Sequence, residues 1–175
     1  MKRSNLLLTL LMALFVGLGA QAQSNQKIGH INADSLLQLM PETAKAQKQL
    51  QEYSQQLQQD LKGMEEELNA KVSEFQSNEK MMTSLTRQSK QQELQDLQRR
   101  IQQYSQTAQQ DLQQKQEELL NPVIEKATTA VNKVAKENGY SYVLDSSPSK
   151  GTVIYAGKGD NLMPMVLEEL GIEAP

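Results

Sequence analysis

Few residues in this chain could do chemistry, and none are grouped to do it together. The single histidine, His30, could act as a base or a metal ligand, but it lies in a short apolar stretch between Gly29 and Ile31 and reads as a packed or exposed strand residue. Glu65, Glu66 and Glu67 bring three carboxylates together. They lie in a polar helical pattern and read as a solvated face rather than a cation site. Gly157-Lys158-Gly159 has the ingredients of a phosphate loop without its flanking pattern, and reads as a turn. Arg99-Arg100 could grip an acidic group but reads as a solvent-facing pair. With no cysteine there is neither a disulfide nor a thiolate metal site. We therefore expect no catalytic residue, no metal, no cofactor and no enzymatic activity.

A second set of residues could bind without reacting. Phe75, Met81, Met82 and Leu85 are apolar and lie in or beside a stretch where the helical pattern breaks. They either pin a helical turn or offer soft, adaptable contacts to many partners.

The element that would present them counts in elevens. From Leu50 the apolar residues are Tyr53, Leu57, Leu61, Met64, Leu68, Val72 and Phe75, in steps of three, four and four, repeated. Eleven residues in three turns is 3.67 per turn, close to an ideal helix and of opposite mismatch to a heptad, so such helices pack nearly straight. The spacing predicts a helix from about Glu42 to Glu79, roughly 57 Å long at 1.5 Å per residue, with Gly63 as the place to bend. A reversal follows near Lys80 to Ser84, with Thr83 or Ser84 as the next cap.

The returning helix repeats the unit: Ile101, Leu112, Val123 and Val134 stand eleven apart, as do Leu97, Ala108, Leu119 and Ala130. The phase crosses Pro122, which predicts one bent helix ending at Asn138-Gly139. Stepping back by elevens from Ile101, Tyr104 and Leu97 reaches Lys90, Glu93 and Thr86, so the zipper weakens toward the tip. The stripe is narrow, which leaves each arm one partner and a wet remainder.

Around the arms lie shorter pieces. Lys27 to Asn32 reads as a strand, and Asn32 or Asp34 caps a short helix that Pro41 ends or passes on. Tyr140 to Asp145 and Thr152 to Gly157 read as two more strands, and a closing helix carries Pro164 in its first turn. The expected fold is α+β: a long antiparallel coiled-coil hairpin, residues 42–120, projecting from a β-rich body made of residues 23–41 and 121–175. Three short strands and two short helices make a poor core for one chain, so subunits are expected to share it.

The first 22 residues have a basic start, an apolar run and small residues at Ala20 and Ala22, the pattern of a cleaved secretory signal. No transmembrane segment is expected in the mature chain. The sequence carries 18 basic and 21 acidic residues. Losing Lys2 and Arg3 leaves about five net negative charges, which disfavours nucleic acid as a partner. Hydrophobic residues at 38% and aromatics at 4% fit long exposed helices better than a packed sphere.

KIGHINADSLL, the hairpin, NGYSYVLDSS, TVIYAG and DNLMPMVLEELGI, in this order, resemble the Skp (OmpH-like) family of periplasmic chaperones. The resemblance implies a homotrimer whose strands pool into a small β-barrel, with three arms holding unfolded outer-membrane proteins without ATP. Carried over by position, Ile28, Ile31, Tyr142, Val143, Leu144, Val153 and Ile154 would form the trimer body. Well-studied members are basic and this chain is acidic, with Gln109 to Glu118 glutamine-rich where they carry arginines, so no lipopolysaccharide site is carried over. Met163 also stands where the family often places a capping Thr. The leading expectation is a periplasmic holdase; the alternative is a structural coiled-coil spacer or adaptor of the envelope.

Overall fold

Proline starts the long outgoing helix, where its missing N–H costs nothing. The computed structural model describes residues 26–151, 153–157 and 160–173. The expected signal at 1–22 lies outside the described residues, as do Thr152 and Lys158-Gly159. Chain order is β1 (Lys27–Ile31), α1 (Ala33–Leu39), α2 (Pro41–Asn78), a 3₁₀ turn (Glu79–Met81), α3 (Ser84–Glu137), β2 (Tyr140–Asp145) and α4 (Met163–Leu170).

Each helix start has a physical reason. Asn32 caps α1, its Oδ1 accepting from the Ser35 amide at 2.9 Å. Thr83 caps α3 by accepting from the Thr86 amide at 3.2 Å. Pro41 opens α2 and Pro164 sits in the first turn of α4. At the start of α4, Asn161 Oδ1 accepts from the Met163 amide at 2.9 Å, so the cap that Met163 cannot supply comes from two residues upstream. Gly171, at φ +69°, closes α4 with the Ile172 amide donating to Leu167 O at 2.9 Å.

The hendecad stripe is visible in the burial. Leu50, Tyr53, Leu57, Leu61, Met64, Leu68, Val72 and Phe75 are all half-buried, and their neighbours on α2 are almost all exposed. Half-burial is what one partner helix can give. On α3, Leu97 is buried, Ile101, Ala108, Leu112 and Leu119 are half-buried, and Val123, Ala130 and Val134 become buried as the helix enters the body. α3 runs unbroken through Pro122. α2 likewise runs through Gly63, where a Cβ would meet open space, so that glycine's cost is backbone freedom alone, about 1 kcal/mol relative to Ala.

Polar links between the arms follow the same count. Lys71 Nζ donates to Glu93 Oε1 at 2.5 Å, and Tyr104 Oη donates to Asp60 Oδ2 at 3.1 Å. From one pair to the other each helix moves eleven residues, in opposite directions. The antiparallel register therefore advances one repeat at a time. Glu93, which interrupts the apolar stripe near the tip, is used for this ion pair, and the Lys71 hydrogen bond, helped by Lys90, holds its carboxyl below the usual range.

The body is small and mostly helical. β1 and β2 pair in parallel, with Ile28 opposite Tyr142, His30 opposite Leu144 and Ile31 opposite Asp145. Parallel pairing needs a long crossover, and here the whole hairpin supplies it. Beneath the sheet Ile31, Leu36, Met40, Val123, Ala127, Val134, Leu162 and Val166 form the core.

The expected strand at Thr152 to Gly157 is not one: among its described residues, 153–157 hold no ladder. The free edge of β1 is taken instead by the turn before α4, His30 N donating to Asp160 O and Leu162 N to His30 O, both at 2.9 Å. With that edge occupied, the 153–157 backbone has no edge of β1 left to join. The strand-forming composition of this segment is real, but composition cannot supply a neighbour.

Candidate functional site

Among the described residues, apolar side chains stand exposed at the arm tip and on the outer face of the sheet. At the tip, Met81 and Leu85 are 80% and 76% exposed, while Phe75 and Met82 are half-buried. The turn itself is closed by polar means. Arg87 Nη2 donates to Glu79 O at 3.3 Å, tying the returning helix to the start of the 3₁₀ turn, and Thr83 caps that returning helix. Met81 and Leu85 are therefore not what holds the turn together.

On the sheet, residues alternate between faces. Ile31 and Val143 face the helices and join the chain's own core. Ile28, Tyr142 and Leu144 face outward and are 47%, 58% and 44% exposed. Ile154 is fully exposed and Val153 half-buried. Beside β2 a cleft of about 640 Å³ opens onto α3, lined by Leu37, Ile124, Val131, Ala135, Tyr142 and Val143. Exposed aromatic and aliphatic residues gathered on one face of a body this small mark an interaction surface.

His30 makes a structural contact. Its Nε2 donates to Gly157 O at 2.8 Å, tethering the 153–157 segment over the outer face of the sheet. The glutamates of the 65–67 run are exposed, and two pair along their own helix, Glu66 with Lys62 and Glu67 with Lys71. Arg99 pairs with Asp96 at 2.8 Å. Among the described residues no group of acidic or histidine side chains is arranged to hold a metal ion, and no helix is long and apolar enough to cross a membrane.

One arrangement escaped the sequence reading. Ser147 is 1% exposed and joins the end of β2 to the start of α1. Its hydroxyl donates to Asp145 Oδ1 at 2.6 Å and accepts from the Asp34 amide at 3.0 Å. Asp145 Oδ1 also accepts from the amides of Ala33 at 3.2 Å and Ser147 at 2.9 Å. Burial opposes the charge on Asp145, but these bonds, with Lys150 nearby, outweigh it and hold the carboxyl below its usual range. The local part, Asp145 bonding the amide two residues on, is an Asx turn that D-S-S could have signalled. The part reaching Asp34 spans more than a hundred residues and needs the parallel sheet.

The comparisons bear on the fold. A crystal structure from Caulobacter crescentus, described as a candidate outer membrane chaperone (OmpH-like), is similar with a TM-score of 0.71 at 16% identity, covering 87% of this chain and 88% of that one. At that identity the likeness speaks for the fold alone. No curated protein matches the chain. The family model for outer membrane protein (OmpH-like) matches residues 27–170. That span takes in both strands, the entire hairpin and the closing helix, so the chain belongs to the OmpH-like family.

Proposed function

We propose that this chain, after removal of a signal near Ala22, works in the periplasm as an ATP-independent holdase, keeping unfolded outer-membrane β-barrel proteins from aggregating between its arms. The observation that carries the reading is the hairpin itself, zipped by a half-buried stripe and presenting Met81 and Leu85 to solvent at its end. Such a surface suits many weak, adaptable contacts, with Phe75 and Met82 extending it.

In this reading residues 42–120 form the arm, and 23–41 with 121–175 form the body. The outward Ile28, Tyr142, Leu144, Val153 and Ile154 are covered in a homotrimer, to which Ile31 and Val143 contribute from below. An apolar face of this kind on a small body supports association, since leaving it in water forgoes about 25 cal/mol for each Å² that could be buried.

The test is light scattering from an unfolded outer-membrane β-barrel protein diluted out of urea. Suppression is expected at about one trimer per client, weakened severalfold by Met81→Ser with Leu85→Ser, in a protein that sediments as a trimer. A monomer at micromolar concentration, or no suppression, would overturn the proposal. A pull-down recovering one or two fixed partners instead of many unrelated outer-membrane proteins would favour the envelope spacer.

A further inference from the structure

The chain has no cysteine, so all of its sulfur is thioether. Burial sorts the described methionines. Met40, 1% exposed, lies in the body core, and Met163 and Met165 pack against that core. Met64 is half-buried in the stripe between the arms, and Met82 is half-buried after the turn. Met81 alone among them is exposed, at 80%, close in sequence to Leu85, itself 76% exposed. It ends the 3₁₀ turn where the hairpin reverses, at the far end of the arm from the sheet face that a trimer would cover. That turn is fixed without its side chain: Met82 N donates to Glu79 O at 3.3 Å, Arg87 donates to the same carbonyl, and Thr83 caps the returning helix.

We infer that Met81 is an oxidation switch, at which a two-electron oxidant of the hypohalous acid class weakens client holding at the arm tip and a thiol-dependent sulfoxide reductase restores it. The inference rests on the holdase reading and adds regulation to the same surface. In the forward step the oxygen of hypochlorous acid passes to Met81 Sδ. An S–O bond forms, the O–Cl bond breaks, chloride leaves with the electron pair and the proton goes to water. Sulfur is oxidised by two electrons and chlorine is reduced by two. In the return step two thiols become a disulfide and the sulfoxide oxygen leaves as water. The sulfoxide is polar and chiral where the thioether was apolar and flexible, so the soft, adaptable contact that methionine offers is lost. No thiol competes for the oxidant, and the other described thioethers are shielded by packing. Because the turn does not use the Met81 side chain, its sulfoxide leaves the fold standing, whereas a sulfoxide at Met40 would bury a polar group in the core.

The experiment treats the full-length protein with limiting hypochlorous acid, maps its methionines by peptide mass spectrometry, and measures binding of a urea-denatured outer-membrane β-barrel protein by fluorescence anisotropy once the oxidant is removed. Sulfoxide is expected to form at Met81 about fivefold faster than at Met40, Met64, Met82, Met163 or Met165. The protein oxidised at Met81 is expected to bind about fivefold more weakly, because an apolar contact has become polar. Helicity and sedimentation are expected to stay unchanged, and methionine sulfoxide reductases of both epimer specificities, with dithiothreitol, to restore the affinity. Met81→Leu, whatever its own starting affinity, is expected to bind equally before and after the same oxidant dose. Faster oxidation at another methionine, an affinity unchanged once Met81 is oxidised, or an equal loss in Met81→Leu would each overturn the inference. So would a reductase that removes the sulfoxide without restoring affinity, or a change in helicity or sedimentation, which would put the effect in folding and not at the tip. Unoxidised protein that binds no client at all would instead overturn the holdase reading on which the switch stands.

Discussion

Leu162→Ala is expected to lower the unfolding free energy by about 3 to 5 kcal/mol, the range for a fully enclosed leucine whose site cannot collapse. Leu162 is 0% exposed at the start of α4, and its amide is fixed by the hydrogen bond to His30 O. Its position is set by a missing side chain. A Cβ on Gly29 would lie 2.3 Å from Leu162 Cδ1 and 3.1 Å from two ring atoms of Tyr140. Gly29 does not have positive φ, so glycine is required there for space and not for backbone freedom. Gly29→Ala alone should therefore cost about 1 to 3 kcal/mol by overpacking. In the Leu162→Ala background that cost should shrink, leaving only the Tyr140 contact, so the two changes should couple by more than about 0.5 kcal/mol. Urea unfolding at one fixed protein concentration measures all four corners of the cycle. Equal costs for Gly29→Ala in both backgrounds would show that Leu162 is not what excludes the methyl group.

That pair also shows where reading the sequence stops. The arms were legible because their cause is local: a stripe of Leu50, Tyr53, Leu57 and Leu61 needs only a count, and Asn32, Thr83 and Pro41 act within one turn of themselves. The tip was legible for the same reason, as the place where the count fails. The body was legible only in pieces. β1 and β2 could be named as strands, but their parallel register joins residues more than a hundred apart across the hairpin. Nothing local distinguishes Tyr140 to Asp145, which finds a neighbour in β1, from Val153 to Gly157, which does not, because Asp160 to Leu162 reaches β1 first. The role of Gly29 was hidden for the same reason: the residue it makes room for comes from the far end of the chain.

Asp145→Ala should cost about 2 to 3 kcal/mol at neutral pH, because the amides of Ala33 and Ser147 lose their acceptor together and the Ser147 hydroxyl is left with Asn32 Oδ1 at 3.2 Å. Ser147 is enclosed, whereas Asp145 is half-buried, so water can replace the carboxylate only in part. The loss should be pH-dependent with a definite sign. Burial works against the charge on Asp145, but the Ser147 and Ala33 bonds win, so the folded carboxyl titrates below its unfolded value, about 3.9. Its stabilisation is therefore complete above that unfolded value and is lost as pH falls through the lower, folded one. Wild type and variant, compared by urea midpoint from neutral to about pH 2.5, should differ by a constant amount until about pH 4 and converge partly below it. Convergence is only partial because a protonated carboxyl keeps one accepting oxygen. Ser147→Ala removes the hydroxyl but leaves the charge and both amide bonds, so it should cost less, about 1 to 2 kcal/mol, and retain the acid-side loss. A gap between Asp145→Ala and wild type that stayed constant down to pH 2.5 would mean that the site needs an acceptor of the right shape and not a charge.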